Sequence, residues 1–279
     1  REDIDHLPAP FLNNDWRSES HQLSQEIRLN SPASGRFRWT LGAFAIREKL
    51  DSFNAYASYV FPGLFTGSAD NEAAIQRIRQ TTTSYAGFAQ AYFDITDRLT
   101  LTLGGRYTYE KKDFLLTSDA FGLGAAGADT VIDRHYVPAA SLGRLILQDV
   151  SKGWRSGSGR IALDYKITPD IMLFGSVSLG TKAGGFNGGA LLSPTETAVV
   201  DPEKLLAYEA GIKSDLFDRR LRLNLSVFDY EYRDQQVFVL RSAGNIVTSN
   251  LENAGRSRVK GIDLDATVHA GDRLTIKGS

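Results

Sequence analysis

The sequence contains no cysteine among its 279 residues. A disulfide framework and a metal site built on thiolates are therefore both excluded. There is also no apolar run that approaches the roughly 18 residues of a membrane-spanning helix. The formal net charge is −1, from Lys+Arg 32 and Asp+Glu 33. This balance indicates no strong electrostatic field for nucleic acid or for acidic substrates.

Methionine occurs once, against Gly 26, Tyr 11 and Phe 15, a composition that favours strands and turns over helices. The hydrophobic content of 42% is ordinary for a soluble protein. It is equally ordinary for a membrane β-barrel, whose strands alternate and whose loops are polar. Residues 1–6 contain no apolar stretch of a signal peptide. We expect that a signal was removed or that the chain has lost its front end.

The clearest pattern lies in residues 208–236, where aliphatic and polar side chains alternate on both sides of a short polar break at 218–220. In the second half, Leu221, Leu223 and Leu225 share one parity, and Arg222 begins the other. A helix of about 3.6 residues per turn would place those leucines on opposite sides. Period-two alternation around a short break predicts a β-hairpin.

The same unit recurs along the chain and predicts about ten strands, with five short turns alternating with four long connections. The short turns fall at residues 31–35, 96–98, 168–170, 218–220 and 270–273. The long connections cover approximately residues 51–82, 113–155, 181–206 and 237–253.

Three local features are predicted inside this plan. Asp70 would cap a short helix over residues 71–79. A β-bulge is expected at residues 43–46, where the alternation blurs. The hydrophobic parity switches between Val227 and Phe228, which predicts either a bulge or emergence of the strand above a bilayer.

Connections that are short at one edge of a sheet and long at the other are typical of an outer-membrane barrel. Strands of about ten residues match the length that a tilted strand needs to cross the hydrocarbon. A soluble sandwich or propeller is the alternative, although inserts of about 25–40 residues are uncommon in compact domains. Aromatic residues near the strand ends fit interfacial girdles: Trp39, Phe93, Tyr107, Tyr109, Tyr165, Phe217 and Tyr230. The pattern favours an all-β, antiparallel transmembrane barrel.

Five stretches carry a family resemblance: residues 24–32 (SQEIRLNSP), 94–114, 180–189 (GTKAGGFNGG), 201–237 and 252–266 (ENAGRSRVKGIDLDA). In this order, across nearly the whole chain, they resemble the β-barrel of TonB-dependent outer-membrane receptors. The resemblance implies a barrel of about 22 strands with a plugged lumen. Because about ten strands cannot close such a barrel, we expect residues 1–279 to be an internal fragment of it, without the plug domain, the TonB box or the C-terminal strands.

Most motifs with possible chemistry have a structural explanation. Residues 122–127 match a dinucleotide fingerprint, but that motif needs a parallel βαβ unit, so a flexible loop is expected. Residues 180–189 lack the ending of a phosphate-binding loop. Their glycines suggest a tight loop whose exposed tip, Phe186 and Asn187, contacts the ligand. The four histidines show no metal-ligand spacing, no carboxylate pair stands out as an acid and base, and no metal or cofactor is predicted.

Charged residues on the polar parity of the strands are predicted to form a lumen wall of mixed sign, hydrogen-bonded to a plug and to water. The wet face of a soluble sheet is the alternative for the same pattern. The predicted wall consists of Arg106, Glu110, Arg160, Asp164, Lys166, Glu209, Lys213 and Arg222.

The resemblance implies a function in transport rather than catalysis. The expected task is uptake, in a bacterial outer membrane, of a ferric siderophore or another bulky, scarce nutrient. The expected partners are the lipid bilayer, the protein's own plug domain, the TonB complex and a small-molecule ligand, which a ferric chelate would satisfy. A passive porin-like channel and a soluble carbohydrate-binding β-sheet protein are the alternatives.

Overall fold

The computed structural model of the protein describes residues 2–3, 12–58, 72–122, 140–188, 199–243, 246–271 and 273–279. Every regular element in these ranges is a β-strand. The strands are β1 (Glu2–Asp3), β2 (Leu12–Asn30), β3 (Phe37–Ser58), β4 (Glu72–Asp94), β5 (Leu99–Gly122), β6 (Ala140–Thr168), β7 (Ile171–Lys182), β8 (Gly185–Phe186), β9 (Val199–Val200), β10 (Glu203–Leu216), β11 (Leu221–Arg233), β12 (Gln236–Ala243), β13 (Ile246–Asn253), β14 (Arg256–His269) and β15 (Thr275–Gly278). A search of the described residues for a helix long and apolar enough to cross a membrane finds none.

The main sheet contains eleven strands in the order β1-β2-β3-β4-β5-β6-β7-β10-β11-β14-β15. Neighbouring strands in this order are antiparallel. Two small sheets, β8-β9 and β12-β13, lie in the long connections between β7 and β10 and between β11 and β14. The prediction of an antiparallel all-β fold with about ten strands is confirmed. Within the described residues the outermost strands, β1 and β15, do not pair with each other.

The five short turns lie where the sequence predicts them, all at one edge of the sheet. The turn between β10 and β11 is closed by the Arg220 amide, which donates to the Phe217 carbonyl at 3.0 Å. Phe217, Asp218 and Arg219 all have φ between 54° and 64°, the left-handed region that non-glycine residues rarely adopt. The pairing of β10 with β11 therefore holds these residues in a backbone conformation that their residue types alone do not favour.

Strands β3 to β6 are much longer than the roughly ten residues predicted, with 22 residues in β3 and 29 in β6. The predicted inserts at 51–82 and 113–155 are therefore wrong in part, because both flanking strands continue far into each of them. Beyond the apolar segment both faces of these strands carry polar residues, so the alternation fades while the backbone ladder continues. The remaining parts of the two inserts, 59–71 and 123–139, lie outside the described residues.

Two local predictions are wrong. The helix predicted at 71–79 is strand: residues 72–79 pair with β3 on one side and β5 on the other. Pairing with distant strands has overridden a locally helix-compatible sequence. The bulge predicted at 43–46 is absent, because β3 pairs without a break with both neighbours there. Register shifts occur instead near Asp119 in β5 and near Lys166 in β6.

Alternation along each strand gives the sheet two chemically different faces. One face, called here the apolar face, carries cross-strand rows such as Leu103, Ile161, Val177 and Tyr208. Large hydrophobic side chains are exposed on it, Ile262 at 70% among them. The opposite side, called here the polar face, carries most of the charged and amide side chains along the same length of strand.

The switch between Val227 and Phe228 involves no bulge, since β11 pairs continuously with β10 and β14. Asp229 follows Val227 on the apolar face. The switch therefore marks the end of the apolar band, which is the length of the strands along which the apolar face carries large hydrophobic side chains. Phe228 and Tyr230 lie on the polar face, with stacked rings 4.7 Å apart. Tyr230 was predicted to belong to an interfacial girdle, and this position shows that it does not.

Three phenylalanines of the polar face lie directly over a glycine of the paired strand. The pairs are Phe88 with Gly42, Phe174 with Gly211, and Phe228 with Gly261. A Cβ added to any of these glycines would overlap the ring. Glycine therefore allows a ring to lie flat on the neighbouring strand at these positions.

Candidate functional site

The pairing register places all eight predicted wall residues on the polar face. Arg106 lies on β5 opposite Ser158 and Phe88. Its guanidinium is 5.3 Å from the centre of the Phe44 ring and 5.8 Å from that of Phe88. The cation is held by aromatic faces rather than by a carboxylate, and Thr108 accepts a hydrogen bond from its Nε at 3.2 Å.

Several of the other wall residues have a charged or an aromatic partner. Arg222 donates to Asp215 at 2.7 Å, and Glu110 lies 3.1 Å from the Lys112 ammonium. Lys213 is 5.2 Å above the Phe174 ring. The remaining residues occupy positions along the same face: Arg160 opposite Ser178, Asp164 opposite Thr100 and Phe174, Lys166 opposite Met172, and Glu209 opposite Ser176 and Phe228. The wall is therefore of mixed sign. That it lines a lumen stays a prediction.

The connection after β7 folds back over the upper polar face. Residues 183–188, called here the inner strap, lie against β5 and β6 beyond the apolar band. Phe186 stacks on Phe114 with ring centres 5.0 Å apart, and it meets Trp154 at 5.8 Å. Together with Leu116 and Ile146, these rings form a buried hydrophobic cluster.

The predicted exposure of Phe186 and Asn187 at a loop tip is wrong. Phe186 is 8% exposed and Asn187 only 1%. Phe186 is an aromatic side chain with a hydrophobic wall available to it, and burial against that wall outweighs solvation of the tip. Asn187 donates to the Asn250 side chain at 3.3 Å. Contact of these residues with a ligand stays a prediction, and it would require the inner strap to move.

Polar contacts anchor the inner strap at its start. Lys112 on β5 donates to the Gly184 carbonyl at 2.8 Å. Gln236 donates to the Ala183 carbonyl at 2.9 Å. A Cβ on Gly184 would lie 2.5 Å from the Trp154 ring, so only glycine lets the strap approach the wall this closely.

A second anchor follows the inner strap, between β9 and β10. The Lys152 ammonium lies 2.8 Å from the Asp201 carboxylate. Hydrogen bonding to Lys152 lowers the pKa of Asp201 below its ordinary value, and Trp154 contributes in the same direction. Lys152 also lies 5.4 Å from the Trp154 ring. The aromatic cluster is thus flanked by two lysines, Lys112 and Lys152.

Sequence reasoning missed Phe114 and Trp154, because both lie inside the predicted insert at 113–155, and it missed Lys112, which directly precedes that insert. A signal was available: Glu110, Lys112 and Phe114 continue the inward parity of β5 without interruption. The dinucleotide-like motif at 122–127 is testable only at Gly122, which ends β5, since 123–127 lie outside the described residues. Within the described ranges, no group of three or more His, Cys, Asp or Glu side chains could hold a metal ion.

Known proteins with similar sequences or folds agree with this architecture. The family model described as TonB dependent receptor-like, beta-barrel matches residues 4–278. The metal-pseudopaline receptor CntO of Pseudomonas aeruginosa is 30% identical over 131 residues, which cover 45% of this chain and 16% of the relative. The chain thus spans a small part of the length of that relative.

Solved structures show the same fold. The ferric yersiniabactin uptake receptor FyuA from Yersinia pestis superimposes with a TM-score of 0.71 at 17% identity, covering 95% of this chain and 35% of that one. The copper transporter OprC gives a TM-score of 0.51 at 10% identity, covering 92% and 42%. With the family model matched over nearly its whole length, the chain belongs to the family of TonB-dependent receptor-like β-barrels.

Proposed function

We propose that this protein takes up a metal chelate, such as a ferric siderophore, across the outer membrane of a Gram-negative bacterium with energy supplied through TonB. Members of its family are outer-membrane transport receptors. The relatives named above are described as receptors or transporters for a metal-pseudopaline complex, for ferric yersiniabactin and for copper. Their common feature is a metal or metal-bearing cargo, which supports the choice of ligand class.

The observation that carries the proposal is the two-faced sheet with an inner strap on its polar face. Exposed aliphatic rows suit lipid, and a mixed-charge wall suits a hydrated lumen. A passive channel needs an open lumen. If the polar face lines that lumen, the inner strap, which buries Phe186 against this face, narrows it. Such an obstruction is expected where passage depends on a driven rearrangement.

In this proposal the polar face provides a wall along which a ligand, a plug domain and water exchange hydrogen bonds. The apolar face contacts the hydrocarbon of the bilayer. Three cations of the wall are held in place, Arg106 and Lys213 by aromatic rings and Arg222 by a carboxylate, and acidic side chains offset part of the positive charge. No residue of this wall is assigned a catalytic role.

The experiment is uptake of radiolabelled iron, presented as a panel of ferric siderophores, by cells that express the complete receptor. We expect accumulation that disappears when TonB is deleted or when the inner-membrane proton gradient is collapsed. The control is a strain without the receptor but with TonB intact. Accumulation that persists without TonB, together with conductance of the purified protein in planar bilayers, would establish a passive channel instead.

A further inference from the structure

The ladder that joins β11 to β14 is interrupted before it continues as the β12–β13 hairpin. Two residues on each leg, 234–235 and 254–255, lie outside any strand, and pairing resumes with Gln236 opposite Asn253. Asp234 has a φ of 53°, in the left-handed region. Two backbone hydrogen bonds of 2.6 and 3.1 Å still join the legs across this interruption. The hairpin can therefore change its angle to the main sheet without its legs separating.

The β12–β13 hairpin has one open side and one covered side. Phe238 and Leu240 point to the open side and are 71% and 73% exposed. Asn250, which belongs to the opposite side, is only 6% exposed. It accepts a hydrogen bond from Asn187 at 3.3 Å, and β13 also lies beside β9. The covered side therefore faces the connection that contains the inner strap.

Gln236, at the start of the hairpin, binds this connection at two places. Its side-chain amide donates to the Ala183 carbonyl at 2.9 Å and to the Asp201 carbonyl at 3.0 Å. Ala183 begins the inner strap, and Asp201 follows β9. The backbone amide of Gln236 is itself held by the Glu203 carboxylate at 2.8 Å. One side chain thus ties the hairpin to both ends of the connection.

Asn253, the cross-strand partner of Gln236, makes a second tie to the same connection. Its side chain accepts from the Asp201 amide at 2.7 Å and donates to the Asp201 carbonyl at 2.9 Å. A residue on a paired antiparallel strand exchanges the same two hydrogen bonds. The Asn253 amide also donates to the Asp234 carbonyl at 2.7 Å, within the interruption. Asn253 therefore links the point at which the hairpin can bend to the connection that carries the strap.

We propose that Gln236 and Asn253 are positioning residues that couple the β12–β13 hairpin to the inner strap, so that both move as one unit about residues 234–235 and 254–255. Bending there pulls the strap from its anchors on the wall. Because a coupling between two elements is reciprocal, release of Phe186 from its aromatic cluster also frees the hairpin.

The coupling depends only on the contacts of the two connections. That the joint movement opens a path for a nutrient rests on the proposed function. The hairpin exposes Phe238 and Leu240 on the side away from the strap. A displacement of the hairpin from that side is therefore transmitted to the strap through the two amide side chains.

The test measures the distance between two spin labels in the complete receptor by pulsed electron paramagnetic resonance, without nutrient or TonB. The labels are attached at Leu240→Cys on the hairpin and at Leu147→Cys on β6, positions that are 73% and 60% exposed. Residues 1–279 contain no cysteine. Any cysteine elsewhere in the receptor is replaced beforehand.

Detaching the strap with Phe186→Ala should shift and broaden the distance distribution of the hairpin. In Gln236→Met/Asn253→Leu, which keeps side-chain volume but removes both amides, Phe186→Ala should cause no further change. Gln235→Met is the matched control, because Gln235 accepts a hydrogen bond from Ser257 on β14 at 2.7 Å and should leave the response intact. An equal response in all three backgrounds, or none in any, would overturn the proposal.

Iodide quenching of Trp154, with the other tryptophans replaced by Phe, reads the coupling at the strap. With Phe186 in place, Gln236→Met should raise the detached fraction of the strap by about fivefold for each net hydrogen bond lost, from about 1 kcal/mol each. Gln235→Met should not raise it. Equal protection of Trp154 in Gln236→Met and in the wild type would contradict the coupling. Neither measurement involves uptake, so the coupling and the proposed function fail separately.

Discussion

The two faces of the sheet use the same residue types in opposite ways. Three glycines of the polar face are covered: Phe88, Phe174 and Phe228 each lie over a glycine of the adjacent strand. The glycines Gly87 and Gly105 of the apolar face have no neighbouring atom within 4 Å of an added Cβ. One face is packed by the protein itself, and the other is left for its surroundings to fill.

The same contrast holds for large side chains. On the polar side the inner strap covers Phe114 and Trp154, which are 3% and 7% exposed. On the apolar side Leu23 and Ile262 are 78% and 70% exposed. Exposed aliphatic rows of this extent are unfavourable in water and expected against lipid. The difference teaches that the internal stability of the sheet beyond its hydrogen bonds is concentrated on the polar side, under the inner strap.

The largest expected effect comes from detaching the inner strap from the polar face, which would leave both faces uncovered. Phe186→Ala deletes a buried ring, which typically costs about 3–5 kcal/mol, and we expect the inner strap to detach. Trp154 would become accessible, since Phe186 lies 5.8 Å from it. The measurement is iodide quenching of Trp154 emission in the complete receptor, with every other tryptophan, Trp16 and Trp39 included, replaced by Phe.

Phe238→Ala provides the matched control for this measurement. Phe238 lies on β12 and is 71% exposed, so its loss should leave Trp154 protected. Equal quenching in the wild type and in Phe186→Ala would show that the inner strap does not depend on the aromatic stack.

Two adjacent positions on β11 sharpen the assignment of the faces themselves. Leu225 lies on the apolar face and Ser226 on the polar face. Leu225→Arg should destabilise the folded receptor by about 2–4 kcal/mol in a bilayer, whereas Ser226→Arg enters the polar wall at little cost. The midpoint of urea unfolding in lipid vesicles measures both. Similar midpoints for the two variants would mean that the apolar face does not meet lipid.

A smaller effect separates covered glycines from open ones. Gly211→Ala would place a Cβ against both the Phe174 ring and the Leu225 carbonyl, and the carbonyl belongs to the ladder and cannot swing away. Overpacking of this kind costs about 1–3 kcal/mol. Gly87→Ala should be neutral or slightly stabilising, because its space is empty and the unfolded chain loses freedom. Unfolding midpoints that do not separate these variants would contradict the packing of the polar face.

The sequence alone is sufficient to predict the part of each strand that crosses the apolar band, and to predict which face each side chain occupies there. There Leu221, Leu223 and Leu225 alternate with polar residues because the environments on the two sides differ. The same alternation predicts all five short turns, which interrupt it. It also predicts that the eight wall residues share one face, because they occupy its polar parity. The antiparallel order then results from short connections between successive strands.

Prediction fails where the two environments become alike. Past Lys49 in β3 and Glu110 in β5, polar residues occur on both faces, so the strands read as loops although the ladder continues. The predicted exposure of Phe186 is wrong for a related reason. Its glycine-rich surroundings predict a loop, but only the three-dimensional approach of Phe114 and Trp154 decides whether that loop lies in solvent or on the wall.

The smallest expected effect is a dependence on pH of the attachment of the inner strap to the polar face. Lys152 lowers the pKa of Asp201 below the ordinary carboxyl range, so the ion pair stabilises the fold at pH values above the pKa of the unfolded chain. That contribution is lost as the pH falls through the lower, folded pKa. The side chains of Lys152 and Asp201 are 40% and 66% exposed, so solvent screening keeps the effect small.

Iodide quenching of Trp154 should rise below about pH 4 in the wild type. In Asp201→Asn it should already be raised slightly at neutral pH and should change less on acidification. Parallel acid profiles for the two proteins would place the acid-sensitive contact elsewhere, and the inner strap would then be held by its other contacts, those of Phe186, Lys112 and Gln236 among them.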